Sequence, residues 1–357
     1  MKNKTIAILI LLLLIAGALL ITGKQYSTLK KQESDFTVHD TASVTKIFMA
    51  DKNGHEIILS KREKGWMLND TIKASDKKVN FLLSTLRRLR VKAPVSRASF
   101  NNVVRRMASI AVKVEIYQNS YRIKLGKIKL FPYVKRSKVF YVGDITQDNL
   151  GTYMLMEDSE QPYIVYIPGF RGFVSTRFSP LIDDWRSHII FKYELGDIKS
   201  VELIFGEKDK QNESFKLTVN DALGNYSLIN LSNNKKTDNY DTLKILNLLT
   251  SFRDLRYESY LKNDLPKHKI DSIINSPFLY KLQLTDKEDN TVTLLMFKKN
   301  RFPDAVNKAF EKLVPVDLDR FYGYLPENGD FVLLQYYTFD KILHPLSYYL
   351  KKTKLNN

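Results

Sequence analysis

The histidines and paired carboxylates of this chain are the side chains from which a catalytic or metal-binding site would most readily be built. The five histidines are His39, His55, His188, His268 and His344. No two of them have the i, i+4 spacing that brings two imidazoles to one metal ion. Adjacent carboxylates occur at residues 157–158 and 183–184, but acid–base catalysis needs two carboxylates whose surroundings separate their pKa values, and neither pair shows this. We expect Asp184, next to Trp185 and Arg186, to form a local ion pair or to cap a turn.

Motifs for nucleophilic catalysis and for phosphate binding are equally weak. Ser27-Thr28-Leu29-Lys30 matches the bare Ser-x-x-Lys pattern but lacks the partner motifs and the helix that would lower the pKa of the lysine. Residues 169–172 contain two glycines but lack the strand–Gly-x-Gly–helix context that directs backbone amides at a phosphate. We therefore predict that the protein is not an enzyme and has no cofactor and no metal. An enzyme assembled from scattered residues is the least favoured alternative.

The basic residues form a stronger chemical signal. The chain has 56 Lys and Arg against 39 Asp and Glu, a net charge of +17. Residues 73–138 hold 18 basic residues against Asp76 and Glu115, and such a region attracts polyanions. Outside the cytoplasm these are anionic lipids or envelope polymers rather than nucleic acid. The predicted polyanion contacts are Arg87, Arg88, Arg90, Arg105 and Arg106. A surface that only keeps the protein soluble would explain the same charge.

The N-terminal sequence predicts the location of the protein. Residues 6–21 are an unbroken apolar run preceded by two lysines. As a helix the run is about 24–26 Å long, at the short end for a membrane span. We predict a single-pass anchor in the inner (cytoplasmic) membrane, with the body of the chain on the extracytoplasmic, periplasmic side. A secretory signal cleaved at Ala16-Gly17-Ala18 is the alternative. The chain has no cysteine, which excludes disulfides and fits a bacterial cell envelope.

The rest of the sequence shows one pattern twice. In each copy, short alternating strands precede a helix with an apolar stripe. The stripe residues are Val79, Leu82, Leu83, Leu86 and Leu89 in the first copy and Ile245, Leu248, Leu249, Phe252 and Leu255 in the second, offset by 166 throughout. The basic face beside the first stripe would suit a helix on a membrane surface, but the second stripe lacks that face, which favours a core role for both. A tandem repeat is therefore predicted.

The predicted fold class is α+β: an N-terminal transmembrane helix followed by two tandem, internally duplicated α+β units of antiparallel strands with a helix pair. The predicted segments are an anchor (1–22), a tether (23–43), a first repeat (44–167), a connector (168–188), a second repeat (189–350) and a tail (351–357). Residues 122–125 are matched with residues 293–296 as equivalent strands. A terminal helix is expected to close the second repeat despite Pro345; its apolar face is Phe339, Ile342, Leu343, Leu346 and Leu350.

The connector is rich in glycine and aromatic residues. Its glycines predict a turn, and its aromatic side chains need a surface to pack on. One interpretation is packing between the two repeats. The other is a loop that docks a partner, through Phe170, Phe173, Phe178, Trp185 and Arg186.

Several structural motifs resemble an uncharacterised bacterial family of membrane-anchored proteins, known as a domain of unknown function. They are a short apolar anchor before Asp35-Phe36, residues 44–49 and 57–59, Gly65-Trp66-Met67-Leu68-Asn69 with the helix after it, Tyr141-Val142-Gly143, residues 162–170 and Asp184-Trp185-Arg186. The similarity covers roughly residues 30–260. Related domains occur in the extracytoplasmic part of auxiliary proteins of gliding-motility ABC transporters. The resemblance implies a membrane-anchored accessory protein and supplies no active-site residues.

These observations predict a non-catalytic envelope protein that acts as an accessory binding or scaffolding component of a membrane complex, with an ABC-type transport complex as the form that the resemblance implies. Its partners would be the membrane itself and the proteins of that complex. The alternative is a protein that binds an anionic envelope polymer or a lipid surface through residues 73–138.

Overall fold

The computed structural model describes residues 34–63, 65–125, 128–220, 225–301 and 316–351. The chain divides into two compact units between Ser187 and His188. Each unit is described by itself below.

One antiparallel sheet dominates the described part of the first unit. Its nine strands are β1 (Val44–Ala50), β2 (Glu56–Arg62), β3 (Gly65–Leu68), β4 (Ile72–Lys73), β5 (Arg90–Pro94), β6 (Val112–Leu125), β7 (Ile128–Ile145), β8 (Thr152–Met156) and β9 (Tyr163–Tyr166). Their order across the sheet is β4-β3-β2-β1-β6-β7-β8-β9-β5. Most neighbours are joined by hairpins, so the sheet is assembled largely from contacts that are local in sequence.

Two longer helices cover the two faces of this sheet. Helix α1 (Asp76–Arg88) begins at Ser75, whose hydroxyl accepts a hydrogen bond from the Lys78 amide, and it buries its apolar stripe with Phe140 in the main core. Helix α2 (Arg97–Ile110) packs instead against Tyr141, the neighbour of Phe140 in β7. Because successive residues of a strand point to opposite faces, the two helices lie on opposite sides of the sheet. A short helix, α3 (Ile182–Trp185), follows near the end of the unit.

The second unit contains eleven strands in its described residues. They are β10 (Ile189–Phe191), β11 (Ile198–Phe205), β12 (Phe215–Val219), β13 (Tyr226–Asn230), β14 (Lys236–Thr237), β15 (Leu255–Arg256), β16 (Ser259–Tyr260), β17 (Tyr280–Asp286), β18 (Thr291–Phe297), β19 (Arg320–Leu325) and β20 (Asp330–Gln335). β10 pairs with β15, and the other nine form a sheet of order β14-β13-β12-β11-β17-β18-β19-β20-β16. The helices are α4 (Thr242–Thr250), α5 (Lys267–Ile274), α6 (Tyr336–Phe339) and α7 (Leu346–Tyr349).

The two large sheets have the same strand order, but one hairpin differs greatly in length. β17 and β18 have seven residues each, whereas β6 has 14 and β7 has 18. The longer hairpin continues beyond both of its neighbours in the sheet. The match made from sequence between residues 122–125 and 293–296 is therefore wrong, because residues 122–125 belong to β6 and the partner of β17 is β18.

The predicted fold class is wrong. We predicted an N-terminal transmembrane helix and tandem α+β units, whereas the described residues are mostly antiparallel sheet, in three sheets. Among these residues, no helix has the length and the apolar character needed to cross a membrane. The physical reason for the difference lies in the strands: several are short or have polar residues on both faces, so the apolar pattern emphasised the helices and missed them.

Some predicted segments fall outside the described residues. The predicted anchor (1–22) lies there entirely, as does most of the tether and of the tail. The predicted terminal helix is also wrong as one element: α6 ends at Phe339, a 3-10 turn follows, and α7 begins only at Leu346 after Pro345. Proline removes a backbone donor and disfavours helix in the residue before it, which explains the break.

A candidate binding surface of arginine and aromatic side chains

The guanidinium of Arg177 lies between two aromatic rings on the surface of the first unit. Its central carbon is 4.5 Å from the centre of the Phe81 ring and 4.6 Å from that of Phe170. Both distances are within the range in which a cation is attracted to the face of a ring. Phe81 is 55% exposed and Phe170 is 39% exposed, so the rings hold the cation and still present apolar area to solvent. We call Phe81, Arg88, Phe170 and Arg177 the arginine–aromatic surface.

The fold fixes Arg177 from both sides. Val174, three residues before Arg177, is buried, and its amide donates a hydrogen bond of 2.9 Å to Thr152 Oγ1. The following residue, Phe178, is buried against Phe140 in an edge-to-face contact with ring centres 6.0 Å apart. Arg177 itself donates to Thr85 Oγ1 on α1 at 2.9 Å. The side chain is therefore held in one arrangement before any ligand arrives, which lowers the entropy lost on binding.

Arg88 joins this surface from the last turn of α1. Its Nη2 donates a hydrogen bond of 3.3 Å to the carbonyl oxygen of Pro168, just before the turn at Gly169. Gly169 has φ = 77°, a left-handed conformation that glycine adopts without strain and that brings Phe170 back over the helix. The connector and helix α1 thus meet at Arg88 and Arg177.

The surface carries uncompensated positive charge. Burial, and then the charge of Arg88, lower the pKa of Arg177, and Arg88 is the one charged group found to act on it within the described residues. Arginine stays protonated in proteins at neutral pH, so both guanidinium groups remain cationic. Two cations with no carboxylate between them among the described residues favour an incoming anion.

The arginines predicted as polyanion contacts have different surroundings. Arg88 belongs to the arginine–aromatic surface, and Arg87 and Arg105 are exposed. Arg90 instead donates to the carbonyl oxygens of Arg87 and Leu89 and to the Thr37 hydroxyl, at 3.2, 2.7 and 3.3 Å. Arg106 forms an ion pair with Asp144 of β7. The guanidinium groups of Arg90 and Arg106 therefore have structural partners already.

The residues predicted to dock a partner are divided between surface and core. Phe170 is exposed and Phe173 is half-buried. Phe178 and Trp185 lie in the main core of the first unit, where Trp185 Nε1 donates to the Ser179 carbonyl at 2.8 Å. Arg186 is also buried, and its Nε lies 3.7 Å from a carboxylate oxygen of Asp183. These last three residues support the fold and are not accessible to a partner.

A charge network lies at the root of the long hairpin, with one buried carboxylate and three partly exposed partners. The buried carboxylate of Glu115 accepts a hydrogen bond from the Tyr117 hydroxyl at 2.5 Å and forms ion pairs with Lys113 at 2.9 Å and Arg136 at 3.6 Å. Glu157 bridges the same two cations, at 3.3 and 3.5 Å. Burial raises the pKa of Glu115, but these contacts outweigh it and leave the pKa below its usual value. The network is fully paired, so we assign it to stability.

The described structure gives less support to a metal site or a small-molecule site. No group of three His, Cys, Asp or Glu side chains is placed to hold a metal ion in the part of the chain that the structure describes. An open, mostly apolar cleft of about 420 Å³ lies in the second unit beside Phe205, Ser214 and Phe278. The Ser214 hydroxyl already accepts a hydrogen bond from the Phe205 amide at 3.0 Å.

Sequence reasoning missed Phe81 and Arg177. Phe81 lies in α1 but off the spacing of its buried stripe, which is itself a signal for an exposed aromatic residue. Arg177 had no comparable signal, because its place in the arginine–aromatic surface depends on contacts with residues about 90 positions away in sequence.

These features define a protein of two mainly antiparallel β units, one of which bears an arginine–aromatic surface. The chain belongs to the family described as Domain of unknown function (DUF4340), whose model matches residues 74–272, more than half of its length. The match begins just before α1 and ends within α5. Comparison with curated proteins gave no match. Comparison with solved structures gave none either.

Proposed function

We propose that the protein is a non-catalytic accessory protein that binds an acidic partner in a membrane complex through its arginine–aromatic surface. The observation that carries this proposal is the Arg177 guanidinium held between two exposed rings, with Arg88 beside it. Among the described residues, no carboxylate is found to act on it. Arginine and aromatic residues dominate the energetics of protein interfaces. A planar guanidinium can also accept a carboxylate in a bidentate geometry.

The acidic partner follows from charge and shape together. A free polyanion would use the two cations but would leave the rings of Phe81 and Phe170 in water. A protein surface with a carboxylate next to apolar side chains would cover both at once. Such a contact would remove apolar area from water at roughly 25 cal/mol per Å².

The cellular setting is part of the proposal. The apolar run of residues 6–21, which lies outside the described residues, supports a location at the cell envelope, with the two units on the extracytoplasmic side. The resemblance to auxiliary proteins of gliding-motility ABC transporters supports a transport complex as the partner.

The test is recovery of partners with the full chain. Cells producing the tagged protein would be cross-linked gently, and membranes solubilised before purification. We expect a defined set of membrane proteins with the native chain and at least tenfold lower recovery with Arg177→Gln or Phe170→Ala. The matched controls are Arg253→Gln and Leu243→Ala, which change exposed residues of the second unit. Equal recovery with all four variants would refute the proposed surface.

A second candidate function is binding of an anionic lipid surface or envelope polymer through residues 73–138. The observation that favours it is the exposure of Arg87 and Arg105, which have no carboxylate partner among the described residues. We expect salt-sensitive binding of the full chain to anionic vesicles or polymer. Reversal of Arg87, Arg88 and Arg105 to Glu should weaken it strongly, and unchanged binding would remove this candidate.

A further inference from the structure

Strands β6 and β7 extend beyond the rest of their sheet as a two-stranded arm. β6 pairs with β1 as far as Gln118, and β7 pairs with β8 from Phe140 onward. In the described residues between these points, the two strands pair with each other, from Asn119↔Val134 to Leu125↔Ile128. We call residues 119–125 and 128–136 the hairpin arm. Seven residues of a strand make it roughly 24 Å long.

The arm exposes apolar side chains to an unusual degree. Five of the fifteen exposed large hydrophobic residues in the described chain lie in it: Ile123, Leu130, Phe131, Tyr133 and Val134. Opposite residues of an antiparallel pair share a face, so the pairs Ile123↔Leu130 and Asn119↔Val134 place Ile123, Leu130 and Val134 on one face. Their exposed fractions are 41%, 46% and 56%. Contiguous exposed apolar area of this kind marks a site of interaction.

The same arm is strongly basic. Residues 116–143 contain seven Lys and Arg and no Asp or Glu. Arg122, Lys129 and Lys135 are exposed, and the pair Gln118↔Lys135 lies on the face opposite to Val134. Arg136, at the root, is held by Glu115 and Glu157. Apolar and basic side chains are thus combined in one small element whose base is held by ion pairs.

The same strand order occurs in the second unit without such an arm. The second unit completes a sheet of the same strand order with a hairpin that closes at Thr285↔Thr291. The turn of that short hairpin is acidic, with Asp286, Glu288 and Asp289. The arm is therefore an addition to the sheet with its own chemistry.

The N-terminal segment joins the first unit at the root of the arm. Lys138 of β7 forms an ion pair of 2.9 Å with Asp35 and also donates to its carbonyl oxygen. Residues 22–33 separate the apolar run from this point, and twelve residues span at most about 40 Å. A bilayer that holds the apolar run would therefore lie within reach of the arm.

We propose that the hairpin arm docks in the headgroup layer of an anionic lipid bilayer, with Ile123, Leu130 and Val134 toward the acyl chains and its lysines and arginines on the lipid phosphates. This inference rests on the second candidate function and assigns it to a specific element. Apolar and basic side chains combined on one element are the pattern of interfacial membrane binding. An anionic polymer would satisfy the cations but leave the apolar face in water.

The absence of cysteine from the chain allows a direct test. The full chain with Leu130→Cys would carry one environment-sensitive fluorophore and would be reconstituted in vesicles of phosphatidylcholine and phosphatidylglycerol. We expect blue-shifted emission and at least twofold quenching by nitroxide-labelled lipid. The matched control is Glu288→Cys, at the tip of the short hairpin, which should show neither. Equal signals from the two labels would overturn the inference.

Further labels separate this inference from the function on which it rests. Ser84→Cys places a probe on the exposed side of α1, within the same basic region. Quenching at 84 but not at 130 would retain lipid binding and refute the arm. Quenching at neither would refute both the docking of the arm and lipid binding by this region. Val134→Cys repeats the test if Leu130→Cys disturbs folding, and Arg122→Glu with Lys135→Glu should reduce quenching at 130. Protection of the probe in native membranes but not in lipid vesicles would point to a protein occupant and overturn the proposal.

Discussion

Arg177 donates a hydrogen bond of 2.9 Å to Thr85 Oγ1, joining residues that are 92 positions apart in sequence. This contact brings the connector onto helix α1 and places the guanidinium between Phe81 and Phe170. Thr85 is buried, and its hydroxyl also donates to the Phe81 carbonyl at 2.9 Å. One threonine hydroxyl therefore connects the backbone of the helix to the cation of the candidate surface.

Thr85→Val should lower partner recovery strongly while lowering the free energy of unfolding only modestly. Valine keeps the shape of threonine but removes the oxygen that accepts from Arg177, so the guanidinium loses its fixed position. We expect a loss of roughly 1–2 kcal/mol in the free energy of unfolding, measured with urea, because the two hydrogen bonds of the Thr85 hydroxyl are removed. A fall in partner recovery comparable to that of Arg177→Gln should accompany it. Unchanged recovery would show that partner binding does not depend on the fixed position of the Arg177 guanidinium.

Truncation of Phe178 should destabilise the protein far more than truncation of Phe170. Phe178 is fully buried, so Phe178→Ala should destabilise the protein by about 3–5 kcal/mol through the cavity that it leaves. Phe170 is exposed, and Phe170→Ala should change the free energy of unfolding by less than about 0.5 kcal/mol. Urea unfolding of the two variants compares them directly. Similar losses for both would contradict the separation of the connector into a core part and a surface part.

Glu115→Gln should reduce stability at neutral pH and remove part of its acid sensitivity. The contacts of Glu115 hold its folded-state pKa below the reference value of 4.5. Its charge therefore stabilises the native state above about pH 4.5, and this contribution is lost as the pH falls through the lower folded-state pKa. Loss of the ion pairs should cost about 1–3 kcal/mol at pH 7.

Urea unfolding between pH 7 and pH 3 would measure this difference. The difference in the free energy of unfolding between the native protein and the variant should be constant down to about pH 5 and should decrease below it. Glu288→Gln, in the exposed turn of the second unit, is the control and should follow the native curve. A gap that does not depend on pH would rule out a titrating role for Glu115.

Shortening the hairpin arm should leave the fold intact. Replacing residues 120–133 with a two-residue Asn-Gly turn would give the first unit a hairpin similar to that of β17 and β18. We expect the free energy of unfolding to change by about 1 kcal/mol or less, because the described residues of the deleted strands pair only with each other and closure cost depends weakly on loop length. Circular dichroism and urea unfolding would detect the loss of the unit that would contradict this.

The sequence predicted some elements of the structure well. The five stripe positions of the second copy are all buried, and four of the five in the first copy are, which confirms that both stripes are core rather than membrane surface. Positions within a helix are predictable because a helix must bury one face every three or four residues. The predicted helix of the second copy is too long, however, because α4 ends at Thr250, Phe252 lies in a 3-10 turn and Leu255 lies in β15. The charge of the region around Arg87 and Arg88 also follows directly from composition.

Other features depend on the three-dimensional structure. Residues 129–136 of β7 are exposed on both faces, so they lack the alternation that identifies a half-buried strand. The arm was therefore missed, and the strand content was underestimated. The contact of Arg177 with Phe81 and Phe170 could not be predicted, because it depends on how the connector returns to α1. For the same reason, Phe178 and Trp185 were grouped with Phe170 although they lie in the core.

The most direct measurement of the central claim is site-specific photo-cross-linking in cells. A photoactivatable amino acid would replace Phe170 in the full chain, with Leu243 of the second unit as the control position. We predict that position 170 cross-links to one discrete membrane protein, that Arg177→Gln removes this product, and that position 243 gives none. Cross-links at 170 that match those at 243, or that persist unchanged in Arg177→Gln, would contradict binding through the arginine–aromatic surface.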